Sequence, residues 1–133
     1  MKTIVAVLLA TASLAAGFEL PLLAHHSFAA QYDATKAFRT TGVLTKIEWT
    51  NPHSYIYIDV KDENGTIAKW TCEAGSLGEL SRQGFKRGTV KFGDTIVVDG
   101  YRAKDGSRLM VALRVSLTNG RIVLGAGAAN EQQ

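Results

Sequence analysis

Cysteine is almost absent from this chain, which has only Cys72 in 133 residues. A single cysteine cannot form an intrachain disulfide. Because no further thiols and no acidic cluster at ligand spacing are present, a closed tetrahedral zinc site is a poor fit. The strand pattern around Cys72 predicts a buried thiol, which is a common environment for a free cysteine.

The net charge of the chain is also small. Its 15 basic and 12 acidic residues leave a net charge of +3. A surplus this small does not predict the clustered basic face of a nucleic-acid-binding protein, so no nucleic acid partner is expected. The chain has neither a phosphate-binding glycine loop nor a readable acid–base pair. These absences argue against an enzyme, although they do not exclude one.

Long apolar segments are lacking as well. The main apolar run, residues 4–16, follows Lys2 and is shorter than the ~20 residues that a membrane-spanning helix needs. A positive start followed by a short apolar run is typical of a secretory signal. We therefore expect export to the periplasm or the medium.

Cleavage is predicted after Ala24, because Pro21 ends any helix and leaves the next residues extended for a peptidase. The mature chain would then begin at His25, with no stable insertion into the membrane. An earlier cut, after Ala15 or Ala16, and an uncleaved membrane anchor are the alternatives.

What remains after cleavage has the length of one domain. The predicted segments are a signal peptide at residues 1–24, an N-terminal arm at 25–37, a β-barrel domain at 38–124 and a disordered tail at 125–133.

Alternating apolar and polar residues predict strands, and Asn64-Gly65 predicts a hairpin turn between two of them. After the third strand, Ser76 and Glu79 have the spacing of a capping box and predict a short helix. The strands are expected at residues 38–49, 54–60, 67–73, 94–102 and 108–117, with a short sixth at 122–124. Three strands, a helix and two strands predict an all-β fold, a small antiparallel OB-like barrel. Another small barrel or roll with the same strand count is the alternative.

The same alternation predicts which side chains share an apolar face. These are Val43, Thr45, Ile47 and Trp49 in the first strand, and Leu109, Val111, Leu113, Val115 and Leu117 in the fifth.

The three histidines, His25, His26 and His53, are the candidate metal ligands. A cut after Ala24 would give His25 a free α-amine beside its imidazole, and these two nitrogens can chelate one metal ion. His53 could add a third nitrogen, with His26 as a spare ligand. An all-nitrogen set suits copper(II) and resembles the histidine brace of exported copper proteins. The predicted function is carriage or buffering of copper, and the bland alternative is three solvated imidazoles.

Tyr55 and Tyr57 support a second hypothesis, because both point to the polar face of the second strand. On an OB-type sheet such a pair could stack on a ligand. The protein would then be a metal-free binding module for a small envelope ligand, an oligosaccharide or another envelope protein.

Several segments together resemble a family of small exported bacterial proteins of unassigned function. The similarity implies a periplasmic β-barrel but no settled activity. The segments are His25-His26-Ser27-Phe28-Ala29-Ala30-Gln31-Tyr32-Asp33, Gly42-Val43, Trp49-Thr50-Asn51-Pro52-His53, Gly93-Asp94 with Val97 and Val98, and Gly100-Tyr101-Arg102-Ala103-Lys104-Asp105-Gly106.

The mass of the exported protein tests the predicted cleavage. Intact-mass spectrometry of the protein recovered from the periplasm is expected to give a chain that begins at His25. A mass that begins at Ala16 or Gly17, or at Met1, would contradict the prediction and remove the amine from His25.

Overall fold

The structure, a computed structural model, describes residues 28–128. Within this part the chain forms two short helices and six strands. In chain order they are α1 (Phe28–Gln31), β1 (Tyr32–Glu48), β2 (Tyr55–Lys61), β3 (Ile67–Glu73), α2 (Leu77–Arg82), β4 (Thr95–Ala103), β5 (Leu109–Leu117) and β6 (Ile122–Leu124).

The strands form one sheet in the order β3-β2-β1-β4-β5-β6, and a parallel pairing between β3 and β5 closes it. The other pairings are antiparallel. Five strands therefore make a closed barrel, with β6 as an extra strand beside β5. Closure, the strand order and the position of α2 after β3 confirm the predicted OB-like fold.

The first strand is longer than predicted. β1 begins at Tyr32, where it pairs with Ala103 of β4, and continues for 17 residues. Residues 32–37 therefore belong to the sheet, and residues 28–31 form α1, so neither is part of an unstructured arm. The polar composition hid this strand because its outer face is exposed and its pairing partner lies far along the chain.

The predicted faces of β1 and β5 are wrong at one end of each strand. In β5, Met110 and Ala112 are buried, whereas Leu113 is 48% exposed. The pairing explains the change, because the register with β4 shifts at Gly100 and leaves Leu113 as an extra, bulged residue. In β1 a similar shift at Thr45 buries Leu44.

Most of the remaining local expectations are confirmed. Ser76 caps α2, and its side chain and that of Glu79 form the reciprocal capping box. Gly65 adopts the positive φ of 83° that the hairpin turn after β2 requires. Leu80 of α2 is buried in the core together with Phe85.

The predicted tail is ordered at its start. Ala128 is buried, and its amide donates to the carbonyl of Gly125. Residues 129–133 lie outside the described part, as do residues 1–27 with the predicted signal peptide. Between Phe28 and Ala128 no helix is long and apolar enough to cross a membrane.

Gly100 is the tightest point of the barrel and gives a stability test. A Cβ atom at this position would lie 1.7 Å from the carbonyl oxygen of Val111, which is backbone and cannot move aside. Gly100→Ala is expected to lower the free energy of unfolding by about 3 kcal/mol or more, as severe overpacking does. Urea denaturation measures the change.

The matched control is Gly78→Ala in α2, where the nearest atom is the mobile end of Arg82 at 3.4 Å. This variant is expected to be neutral or to gain about 0.5–1 kcal/mol, because alanine favours helix. Equal stabilities of the two variants would contradict the proposed close contact between β4 and β5.

The thiol of Cys72 gives a second test of the fold. Its side chain is fully buried, and this burial raises its pKa to about 12. A disulfide reagent is expected to leave the native protein unmodified at pH 8 and to modify it fully in denaturant. Rapid reaction of the native protein would show that β3 does not pack as described.

Candidate functional site

The loop before β2 fixes the position of His53. The hydroxyl of Thr50 donates to the carbonyl of His53 at 2.7 Å, and the buried hydroxyl of Ser54 donates to the carbonyl of Thr50 at 3.1 Å. The Asn51–Pro52 peptide between them is cis. Asn51 accepts a hydrogen bond from the amide of Leu77, so the loop is also tied to the start of α2. His53 is thus held by backbone contacts while its ring stays accessible.

Glu73, the last residue of β3, lies at the centre of the site. Its Oε1 is 3.3 Å from Nδ1 of His53, and its Oε2 accepts a hydrogen bond of 2.5 Å from the hydroxyl of Tyr32. The Glu73 side chain is only 13% exposed, whereas that of His53 is 45% exposed. The carboxylate therefore joins a buried phenol to a partly exposed imidazole.

Tyr32 is a proton donor in this arrangement at any physiological pH. Burial raises its pKa well above the ordinary value, and the hydrogen bond to Glu73 and the charge of that carboxylate raise it further. The phenol therefore keeps its proton and holds one oxygen of Glu73. The other oxygen faces the imidazole and favours a proton on Nδ1, which leaves the lone pair of Nε2 free for a ligand.

The first described residue, Phe28, lies beside this group. Its ring packs 5.6 Å from that of Tyr32 and 6.0 Å from that of Tyr101, measured between centroids. Phe28 and His53 line the same cavity, which has a volume of about 420 Å³. Phe28, the first described residue, therefore lies at the cavity that contains His53.

The charge of this cavity favours a cation. Two carboxylates, those of Glu73 and Glu79, lie in its wall, and none of its described lining residues is a lysine or arginine. The pKa of Glu79 is lowered, first by hydrogen bonds from the backbone amide and the hydroxyl of Ser76 and to a smaller extent by the charge of Arg82. Glu79 therefore stays ionised at neutral pH.

His25 and His26 lie outside the described residues, so their positions relative to His53 stay a prediction. From Phe28 to Ala128, no three side chains of the His, Cys, Asp and Glu types converge as a metal-binding group. Within this part of the chain, His53 and Glu73 form a pair to which further ligands would have to be added.

Tyr55 and Tyr57 are half-buried on β2. The hydroxyl of Tyr57 donates to Glu48 at 2.9 Å, and the ammonium of Lys46 lies 5.2 Å from the centre of the Tyr57 ring. Burial raises the pKa of Tyr55, and the charges of Glu73 and Glu48 raise it further. One face of Tyr57 is thus already covered by a cation, which leaves less aromatic surface for a stacking ligand.

Sequence reasoning missed Tyr32 altogether and could not assign Glu73 to the site. Neither residue has a local signal, because the two are 41 positions apart and meet only when β1 and β3 join one barrel. Tyr32 does lie within a segment of the family resemblance, and this was the only available hint of its importance.

Three solved structures have weak similarity to this chain. Two TiaS structures, one in complex with a tRNA and ATP and one of a ZRD-deleted mutant with agmatine, are 17% and 19% identical, cover 64% and 71% of this chain, and both have a TM-score of 0.46. This chain spans 18% and 23% of their lengths. The mitochondrial single-stranded DNA-binding protein Rim1 of S. cerevisiae is 13% identical over 62% of this chain and 94% of its own, with a TM-score of 0.48.

The comparison with curated proteins gives no match. One family match covers most of the sequence, residues 12–112, and includes β1 to β4 with Tyr32, His53 and Glu73. The chain belongs to DUF6152, a family of unknown function.

Proposed function

We propose that this protein is an exported copper(II)-binding protein. Its site consists of the α-amine and imidazole of His25 and Nε2 of His53, with His26 as a spare nitrogen ligand. The role is carriage or buffering of copper in the periplasm, with release to another envelope protein. The single observation that carries the proposal is the contact of His53 with Glu73 in an acidic cavity that Phe28 also lines.

The contact of His53 with Glu73 supports its proposed role as a metal ligand. Histidine ligands commonly direct their second ring nitrogen at a carboxylate, which fixes the tautomer and raises the basicity of the ligating nitrogen. Glu73 lies in that position, 3.3 Å from Nδ1. Tyr32 in turn holds the second carboxylate oxygen, so the support extends one residue further into the barrel.

The length of the chain permits the N-terminal histidine to reach the site. His25 is three residues before Phe28, and three extended residues span about 10 Å. Because Phe28 and His53 line the same cavity, a segment of about 10 Å that starts at Phe28 is long enough to reach into this cavity. A long flexible arm is therefore not needed to bring the amine to His53.

The choice of metal follows from the donor set. Two imidazoles and an amine are nitrogen ligands that copper(II) binds more tightly than other divalent first-row metals. The thiol of Cys72 does not compete for the ion, because its side chain is fully buried in the core.

The metal-free binding module on Tyr55 and Tyr57 is the alternative function. The contacts of Tyr57 with Lys46 and Glu48 favour the copper proposal, because both its ring and its hydroxyl already have partners. A loss of ligand binding on removal of these tyrosines, with no effect of copper, would favour the alternative.

Competition for copper(II) tests the proposal. The protein that begins at His25 is titrated against a coloured chelator, and binding of one copper ion is expected. His53→Ala is expected to weaken the affinity by about 100-fold or more and Glu73→Gln by about tenfold, since loss of a supporting carboxylate typically costs 10–100-fold. One residue added before His25 should also weaken binding, because it separates the amine from the imidazole.

Tyr57→Phe is the matched control, since it alters a neighbouring polar group of β2 and leaves the acidic cavity intact. Its copper affinity is expected to equal that of the unaltered protein, and circular dichroism confirms that each variant folds. Unchanged affinity in His53→Ala and in the extended chain would overturn the proposal.

A further inference from the structure

A second cavity, of about 430 Å³, lies between the start of β1 and the end of β4. Its charge is opposite to that of the cavity at His53. Lys36, Arg102 and Lys104 line it, and Asp33 supplies the one carboxylate of its described wall. The volume falls in the range of small-molecule sites. The proposed copper site uses none of these four residues.

Arg102 is the most organised cation of this cavity. Its guanidinium carbon lies 4.9 Å from the centre of the Trp70 ring and 5.2 Å from that of Phe38. The two rings stack on each other with centroids 5.0 Å apart and an angle of 27°. Arg102 therefore covers an aromatic pair that is itself part of the barrel wall.

A guanidinium held over aromatic rings keeps its in-plane N–H donors free. Those donors form a fork that matches the paired oxygens of a carboxylate or phosphate. Arg102 makes no ion pair with any residue of the described chain, unlike Arg39, whose guanidinium makes two contacts with Asp99 at 2.5 and 3.2 Å. Arg102 thus lies against the aromatic pair and has no ion-pair partner among the described residues, so its N–H donors can take an oxyanion.

The charged residues around Arg102 make this cavity favourable for an anion. Asp33 is already engaged by the amide and hydroxyl of Thr35, and these bonds lower its pKa. Lys36 lies 4.0 Å from Asp33 with its side chain largely exposed, and the ammonium of Lys104 donates to the carbonyl of Ala29. Three cations against one engaged carboxylate attract a negatively charged ligand.

We propose that this cavity binds a small organic oxyanion, with a carboxylate or phosphate group on the fork of Arg102 and flanked by Lys36 and Lys104. The side chain of Phe38 and the methyl groups of Ala37 and Ala103 supply an apolar wall for the body of the ligand. This binding activity is independent of copper and is tested on metal-free protein.

Nuclear magnetic resonance titrations at constant ionic strength test the site. Inorganic phosphate and benzoate are the two probes, because they present the two oxyanion types separately. Saturable shifts are expected at the Trp70 indole and at the amides of residues 33–38 and 102–106, for at least one probe. The probe that binds more tightly identifies the preferred group. No saturable shift with either probe would overturn the proposal.

Three substitutions distinguish binding by the planar guanidinium of Arg102 from nonspecific attraction by positive charge. Arg102→Gln is expected to weaken binding by about tenfold or more, as loss of a charge-assisted pair does. Arg102→Lys keeps the charge but not the planar fork, so most of the affinity should still be lost. Arg121→Gln removes the same charge from an exposed turn outside this cavity and should leave binding unchanged.

Equal weakening in Arg102→Gln and Arg121→Gln would show nonspecific attraction and overturn the site. Retained affinity in Arg102→Lys would overturn the fork. Tight binding of a single-stranded oligonucleotide that depends on Arg102, with no binding of either small probe, would overturn the small-molecule ligand in favour of a nucleic acid.

Discussion

The parallel pairing of β3 with β5 is the constraint on which the rest of the structure depends. It covers only Thr71–Leu109, Cys72–Met110 and Glu73–Val111, yet it converts an open sheet into a barrel. Closure covers part of the β3 edge and encloses the core. It also brings Glu73, the last residue of β3, to the end of the barrel where Tyr32 and His53 lie. The pairing of β2 with β3 places His53 beside Glu73, and the assembled barrel adds Tyr32 to this pair.

The start of β1 contributes a residue to each of the two cavities. Tyr32 and Asp33 are consecutive, and successive side chains of a strand point to opposite faces. Tyr32 enters the acidic cavity with His53, whereas Asp33 lines the basic cavity with Arg102. One short stretch of backbone thus separates a site suited to a cation from a site suited to an anion. The acidic residues of one cavity and the basic residues of the other are therefore kept apart.

Successive side chains of β3 also point to opposite faces, so neighbouring residues have different environments. Trp70 and Cys72 face the core, and the thiol is withdrawn from metal and oxidant by burial. Glu73, which follows directly, faces outward to the phenol and the imidazole. The aromatic ring of Trp70, in the middle of the same strand, lies 4.9 Å from the guanidinium carbon of Arg102. β3 therefore contributes to the core and to both cavities through different residues.

The sequence alone determined what depends on neighbours along the chain: the strand count, the Asn64-Gly65 turn, the capping box of α2 and the OB-like order of elements. It also indicated His53 as a candidate ligand. It could not determine the bulges at Thr45 and Leu113, because a two-residue period contains no information about the register of a distant partner strand. The early start of β1 and the contact of Tyr32 with Glu73 were decided by tertiary structure alone, since both depend on contacts between segments that lie far apart in the sequence.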